Sequence, residues 1–145
     1  MKRKDAKTMI KEGMLFLYFS GQCDQALAFY SEVLQAQVLE KTTYLEAEMS
    51  GGTDSDHLIM NATMQLGNLK VCASDLLESK PVIGNHTSIW LEIDTEENLR
   101  QAFNRFEKAD SQLITKPELT FWNSVYCKVQ DPFGVFWEFN SQLSQ

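Results

Sequence analysis

Metal binding or general-base chemistry in this chain would have to start from His57 and His86, the only two imidazoles in 145 residues. Each borders a strand-like run beside a polar loop, and a loop histidine needs a second partner to fix its tautomer and direction. Glu138 is the sharper carboxylate. It stands between Trp137 and Phe139, so strand alternation turns it into a site, out to solvent, or across a hairpin towards Lys128. A divalent ion needs several oxygen or nitrogen donors converging at about 2 Å with one position open, and a single glutamate does not meet that demand. Nucleophilic catalysis has less to work with: there is no GxSxG elbow, and no Ser or Cys has an identifiable His partner. The paired carboxylates Glu46 and Glu48, and Glu96 and Glu97, read as solvated strand or helix surface.

Aromatic residues are the other chemical resource. Phe16, Tyr18, Trp90, Phe121, Trp122, Phe136 and Trp137 fall mostly in strand-like runs, where many belong to an ordinary core. A subset at alternate positions on one strand face would instead line an apolar cup carrying a few polar groups, such as Tyr18, Asn61 and Glu138. Trp122 and Tyr126 are the strongest lining candidates, because the long loop before them has room to act as a rim.

The elements that must position these residues repeat. Met14 to Ser20 is a buried-strand run ended by Gly21; from Asp24 to Leu34, Leu27, Tyr30 and Leu34 mark one helical face. Gln37 to Tyr44 reads as a strand, Ser50 to Asp56 as a flexible loop, and Leu58 to Leu66 and Leu69 to Ala73 as strands around a Gly67-Asn68 hairpin turn. A polar connector containing Pro81 and Gly84 follows. Thr87 to Ile93 begins the pattern again, and Asp94 or Thr95 can cap a helix whose apolar face is Leu99, Ala102, Phe103 and Phe106. Strands at Ser111 to Thr115, Phe121 to Val129 and Val135 to Asn140 complete it. Both halves have the order βαβββ at a period of about 70 residues, which suits two fused copies of one module rather than a solenoid. The expected architecture is α+β: a basic leader at 1–13, module one at 14–74, a connector at 75–86 and module two at 87–140. A ferredoxin-like pair or a general α+β domain fits less well, because each half has one helix followed by three strands.

Charge narrows the partners. Five of the 13 basic residues (Lys2, Arg3, Lys4, Lys7 and Lys11) lie in the first eleven positions, and Glu12 to Gln145 carries eight basic against 19 acidic side chains. Such a body repels phosphate backbones, so nucleic acid is not an expected partner. The leader reads as a solvated tail. No apolar run approaches a membrane span, and the basic N-terminus is not followed by the apolar stretch of a signal peptide, so a cytoplasmic protein without membrane contact is expected. Cys23, Cys72 and Cys127 stand far apart, outside any CxxC pair, which suggests reduced thiols.

Three stretches carry a family resemblance. Phe16-Leu17-Tyr18-Phe19-Ser20-Gly21 leads into Gln25-Ala26-Leu27-Ala28-Phe29-Tyr30; Gln65-Leu66-Gly67 runs on to Ser74-Asp75; and Phe121-Trp122, through Tyr126, leads to Asp131-Pro132-Phe133-Gly134 and Val135-Phe136-Trp137-Glu138-Phe139-Asn140. Together they resemble the PhnB-like branch of the vicinal-oxygen-chelate (glyoxalase/bleomycin resistance/dihydroxybiphenyl dioxygenase) superfamily, over nearly all of Met14 to Asn140. The last stretch is the specific one. The resemblance implies tandem βαβββ modules curled into a cup, a homodimer, and a divalent metal or small ligand in the cup. Relatives include lyases, isomerases, ring-cleaving dioxygenases, thiol transferases and drug-sequestering proteins. A methyltransferase association also travels with this branch, but the chain has no Gly-rich strand-to-helix loop for a nucleotide-like cofactor.

Catalytic relatives ligate metal from the first and last strands of each module. Glu138, four residues after Gly134, matches the last-strand carboxylate. Phe16 and Tyr18 stand where a first-strand histidine is expected, and Asn61 where many relatives have histidine; the fifth strand offers Ser88, Trp90 and Glu92, with His86 just before it. The resulting expectation is an aromatic cup binding an unidentified small molecule, lined by Phe16, Tyr18, Asn61, Trp90, Trp122, Tyr126 and Glu138, with an incomplete metal site. No cofactor is required, although a divalent metal at Glu138 is compatible with the sequence. The alternative is a divalent-metal-dependent lyase, isomerase or thiol transferase using Glu138, and the sequence leaves open whether the protein is catalytic.

Overall fold

A computed structural model describes residues 9–49 and 53–144. These residues form β1 (Leu15–Phe19), α1 (Cys23–Leu34), β2 (Gln37–Thr43), β3 (Ile59–Leu66), β4 (Leu69–Asp75), β5 (Ile89–Glu92), α2 (Glu96–Lys108), β6 (Gln112–Leu119), β7 (Ser124–Gln130) and β8 (Phe136–Gln142). The strands make two four-stranded sheets of one topology, β1-β4-β3-β2 and β5-β8-β7-β6. In each, the first strand pairs parallel with the last, and the remaining pairs are antiparallel. The architecture is α+β, with the repeated βαβββ order expected.

One core serves both halves. α1 packs on β2, β3 and β4, α2 packs on β6, β7 and β8, and the helices touch each other. Phe29 of α1 meets Phe106 of α2 edge-to-face at 5.6 Å, a favoured aromatic geometry. Thr95 caps α2, its hydroxyl accepting the Asn98 backbone N–H at 3.0 Å, while Glu96 and Glu97 lie in the positive first turn. α1 has no such side chain at its N-terminus. Asp75 takes that role from the end of β4, accepting the backbone N–H groups of Gly21 at 2.8 Å, Cys23 at 3.0 Å and Ile59 at 2.9 Å.

Several boundaries differ from expectation for identifiable reasons. Asp75 is not the start of a polar connector; it is the buried last residue of β4, held there by three backbone donors that need an acceptor. β6 does not stop at Thr115 but continues through Pro117 to Leu119. It is an edge strand, and a register shift between Thr115 and Glu118 accommodates the proline's missing N–H. Consequently there is no long rim loop before Trp122. Phe121 and Trp122 are not in a strand either: they form the turn between β6 and β7, and Phe121 is 97% exposed. Of the expected Ser50–Asp56 loop, residues 50–52 lie outside the described residues and Thr53–Ser55 is a short 3-10 turn. The basic leader lies outside them up to residue 8.

The connector between the halves rests on the Asp131–Gly134 turn. Gly134 has φ +95, and a Cβ there would lie 2.8 Å from Ile83 Cγ2. Glycine is therefore required twice, for its backbone angle and for the space.

Candidate functional site

Strand periodicity decides what the second sheet presents. Trp137 and Phe139 of β8 are fully buried, with Phe139 packed on Phe106 of α2. The two-residue period therefore sends Phe136, Glu138 and Asn140 to the face away from the helix. On β5 the same alternation buries Ile89 and turns out Trp90 and Glu92; on β7 it buries Val125, Cys127 and Val129 and turns out Tyr126 and Lys128. Register brings these together across the strands: Trp90 lies opposite Glu138, which lies opposite Lys128, and Glu92 lies opposite Asn140, which lies opposite Tyr126.

A hydrogen-bonded network ties this face together. The hydroxyls of Ser88 and Tyr126 donate to different oxygens of Glu138. The Trp90 indole N–H donates to Glu92. Asn140, almost completely buried, is the hub: its Oδ1 accepts the Trp122 indole N–H at 2.9 Å, and its amide donates to Glu92 Oε1 at 3.1 Å and Ser124 Oγ at 3.3 Å. Above the network the rings touch. Trp90 and Tyr126 have centroids 5.7 Å apart, Tyr126 and Trp122 5.9 Å, and Trp122 and Phe121 4.9 Å. Trp90 is 45% and Trp122 43% exposed, a large apolar area to leave in water.

Electrostatics keep Glu138 charged. Burial opposes the carboxylate, but hydrogen bonds from Ser88 and Tyr126, with the positive charge of Lys128, outweigh it and hold the group below its ordinary 4.5. Burial and the adjacent Glu138 push the Tyr126 hydroxyl up, so it remains a protonated donor. Lys128 is Glu138's cross-strand neighbour, one of the placements the sequence left open, yet its ammonium lies over the Phe136 ring, 5.4 Å from the centroid.

The expected site residues separate into three places. Trp90, Trp122, Tyr126 and Glu138 come together in this network. Phe16 and Tyr18, stacked at 5.8 Å, line a cleft of about 330 Å³ between β1 and the connector, with Ile83, Ser88 and Phe136. Ser88 belongs to both, because it lines the cleft and donates to Glu138. Asn61 stands apart on β3, opposite Thr42, with its amide 3.4 Å from Glu40. Asn140 and Ser124 were not singled out from the sequence, although the 136/138/140 alternation would have placed Asn140 beside Glu138.

Among the described residues no three His, Cys, Asp or Glu side chains converge, and both Glu138 oxygens already accept hydroxyl protons. His57 and His86 are exposed. The three cysteines are buried and unpaired, and burial pushes the Cys23 and Cys127 thiols up to about 12, which keeps them inert at neutral pH. Among the described residues no helix is long and apolar enough to cross a membrane.

A family model described as the Glyoxalase/Bleomycin resistance protein/Dioxygenase superfamily matches residues 15–139. Protein YjdN of Escherichia coli (strain K12) is 25% identical over 135 residues, spanning 86% of this chain and 91% of that protein. Protein PA1353 from Pseudomonas aeruginosa superposes with a TM-score of 0.79 at 23% identity, covering 93% of this chain and all of that one. The PhnB protein from Bacillus cereus gives 0.75 at 19% identity, covering 90% and 99%. At these identities the structural likeness is one of fold.

Proposed function

Because the chain belongs to the Glyoxalase/Bleomycin resistance protein/Dioxygenase superfamily, we propose that it is a cytoplasmic, PhnB-like small-molecule-binding protein whose ligand stacks on the aromatic face of the second sheet. Trp90, Trp122 and Tyr126 supply the stacking surface, Glu138 supplies the polar anchor, and Phe16 and Tyr18 extend the surface into the adjoining cleft. The observation that carries this reading is the combination of exposure and order. Two tryptophans nearly half in solvent are each fixed by an indole hydrogen bond to a neighbouring side chain. Rings left in water have no folding reason to be pre-positioned, whereas pre-positioned rings lower the ordering penalty of binding.

Metal titration separates this reading from a metal-dependent lyase, isomerase or thiol transferase. Protein purified without chelator is expected to carry no stoichiometric metal, and added Ni²⁺, Zn²⁺ or Mn²⁺ should leave its melting temperature unchanged. Stoichiometric metal with stabilisation that disappears in Glu138→Ala would replace the binding reading with the metal-dependent one.

The proposal includes a homodimer. Val38 and Leu39 on the edge strand β2, Ile114 and Leu119 on the edge strand β6, and Val82 and Ile83 in the connector are all exposed, and apolar groups along open sheet edges favour covering by a second chain. Sedimentation at micromolar concentration should give twice the 16.6 kDa chain mass; a species at the single-chain mass would remove the dimer.

A further inference from the structure

The aromatic face carries more negative charge than its own side chains neutralise. Glu92 and Glu138 both lie on it, and the hydrogen bonds they accept come from neutral donors: Trp90 and Asn140 for Glu92, Ser88 and Tyr126 for Glu138. Glu118 adds a third negative charge next to Tyr126. Lys128 is the positive charge felt at Glu138, and its ammonium is directed over Phe136. Glu138 itself remains ionised at neutral pH.

These charges restrict what can cover the rings. A neutral ligand without hydrogen-bond donors lying over Trp90 and Tyr126 would strip water from two carboxylates and return nothing, a desolvation penalty that opposes binding. An anion adds repulsion to that penalty. A bare divalent ion would need the two carboxylates to converge, whereas each is held in its own set of hydrogen bonds. A cation with an apolar or polarisable surface meets every demand: it compensates the carboxylates and is attracted to the electron-rich faces of Trp and Tyr.

We propose that the ligand of this face is a small organic cation, an amine or quaternary ammonium group seated against Trp90, Tyr126 and Trp122 with its charge towards Glu138 and Glu92. This rests on the reading of the face as a ligand site and adds the chemical class of the ligand.

Choline and 3,3-dimethylbutan-1-ol test it, since they share a shape and differ by the charge. Binding is followed through the fluorescence of Trp90 and Trp122 and their indole N–H resonances. Choline should bind about tenfold or more tightly than the alcohol, the size of a partly desolvated cation–π and ion-pair contribution. Glu138→Gln, which keeps the side chain's shape, should lower choline affinity by about the same factor without changing the alcohol's. Glu92→Gln repeats the measurement should the first variant fail to fold. If the alcohol binds as well as choline, the cation assignment falls while the ligand site stands. If neither probe perturbs either tryptophan, the ligand site falls and takes the cation assignment with it.

Discussion

Asp131→Ala is expected to destabilise the fold by about 3–5 kcal/mol, because it deprives four donors of one buried acceptor. Asp131 Oδ2 accepts the Tyr30 hydroxyl at 2.5 Å and the Trp137 indole N–H at 2.8 Å; Oδ1 accepts the backbone N–H of Phe133 at 2.9 Å and of Val135 at 3.0 Å. Tyr30 belongs to α1, 101 positions earlier in the chain, so this carboxylate joins the two halves. Phe133, in the same turn, packs edge-on against Phe19, Phe29 and Tyr30. A domain of this size has a total stability of about 5–15 kcal/mol, so the substitution removes a large part of it. Tyr30→Phe deletes one bond and should lose only about 1 kcal/mol. Urea unfolding of both variants checks the ranking; a loss within 1 kcal/mol for Asp131→Ala would show that the turn holds without its carboxylate.

The same group has a defined pH dependence. Burial raises the Asp131 carboxyl above its ordinary 3.8, and its four hydrogen bonds only partly offset that effect. The folded state therefore binds this proton more tightly than the unfolded chain does. The resulting stabilisation is full below the unfolded value and is lost as pH rises through the folded one. Asp131→Asn cannot titrate. Its stability deficit relative to the parent should therefore be largest at the acid end and shrink to a constant value towards neutrality, which a series of urea melts from pH 3.5 upwards would display.

Local chemistry made the repeated βαβββ order legible: the helical faces around Leu27 and Leu99, the Gly67-Asn68 hairpin and the Asp131–Gly134 turn each follow from a few adjacent residues. Asp75 was not legible. An aspartate after a strand reads as connector, and its burial depends on N–H groups of Gly21, Cys23 and Ile59 that only the tertiary fold delivers. The run of β6 through Pro117 to Leu119 was not legible either, since a strand carries a proline only at an edge or a bulge, and edge position is a property of the assembled sheet. Among the site residues, alternation allowed Trp90, Tyr126 and Glu138 to face outward on their own strands, but that they share one face follows from the pairing of β5, β8 and β7. Alternation could not place Phe16 and Tyr18 relative to them, since β1 belongs to the other sheet and their separation is set by how the two halves pack.

Asn140 is where the fold and the aromatic face meet, and Asn140→Ala is expected to alter both. The residue is almost wholly buried, yet its amide holds Glu92 and Ser124 from one end and Trp122 from the other. Truncation leaves the buried Ser124 hydroxyl and a Glu92 carboxylate without that donor, which should cost about 2–3 kcal/mol of stability. The effect on binding should be separable. Trp122 sits in the β6–β7 turn, outside any strand ladder, and its indole N–H to Asn140 is the hydrogen bond that orients the ring over Tyr126. Without it the ring must be ordered at the moment of binding, and choline affinity should fall about tenfold, the equivalent of ordering one large side chain. Trp122→Phe gives the complementary case, keeping a stacking ring but not the anchor, and should show the binding loss with less than 1 kcal/mol of the stability loss. The decisive reading is hydrogen exchange at the Trp122 indole N–H: it should accelerate strongly in Asn140→Ala at temperatures where the protein is still folded. Unchanged exchange would mean that the ring is held by packing alone and that Asn140 serves only the core.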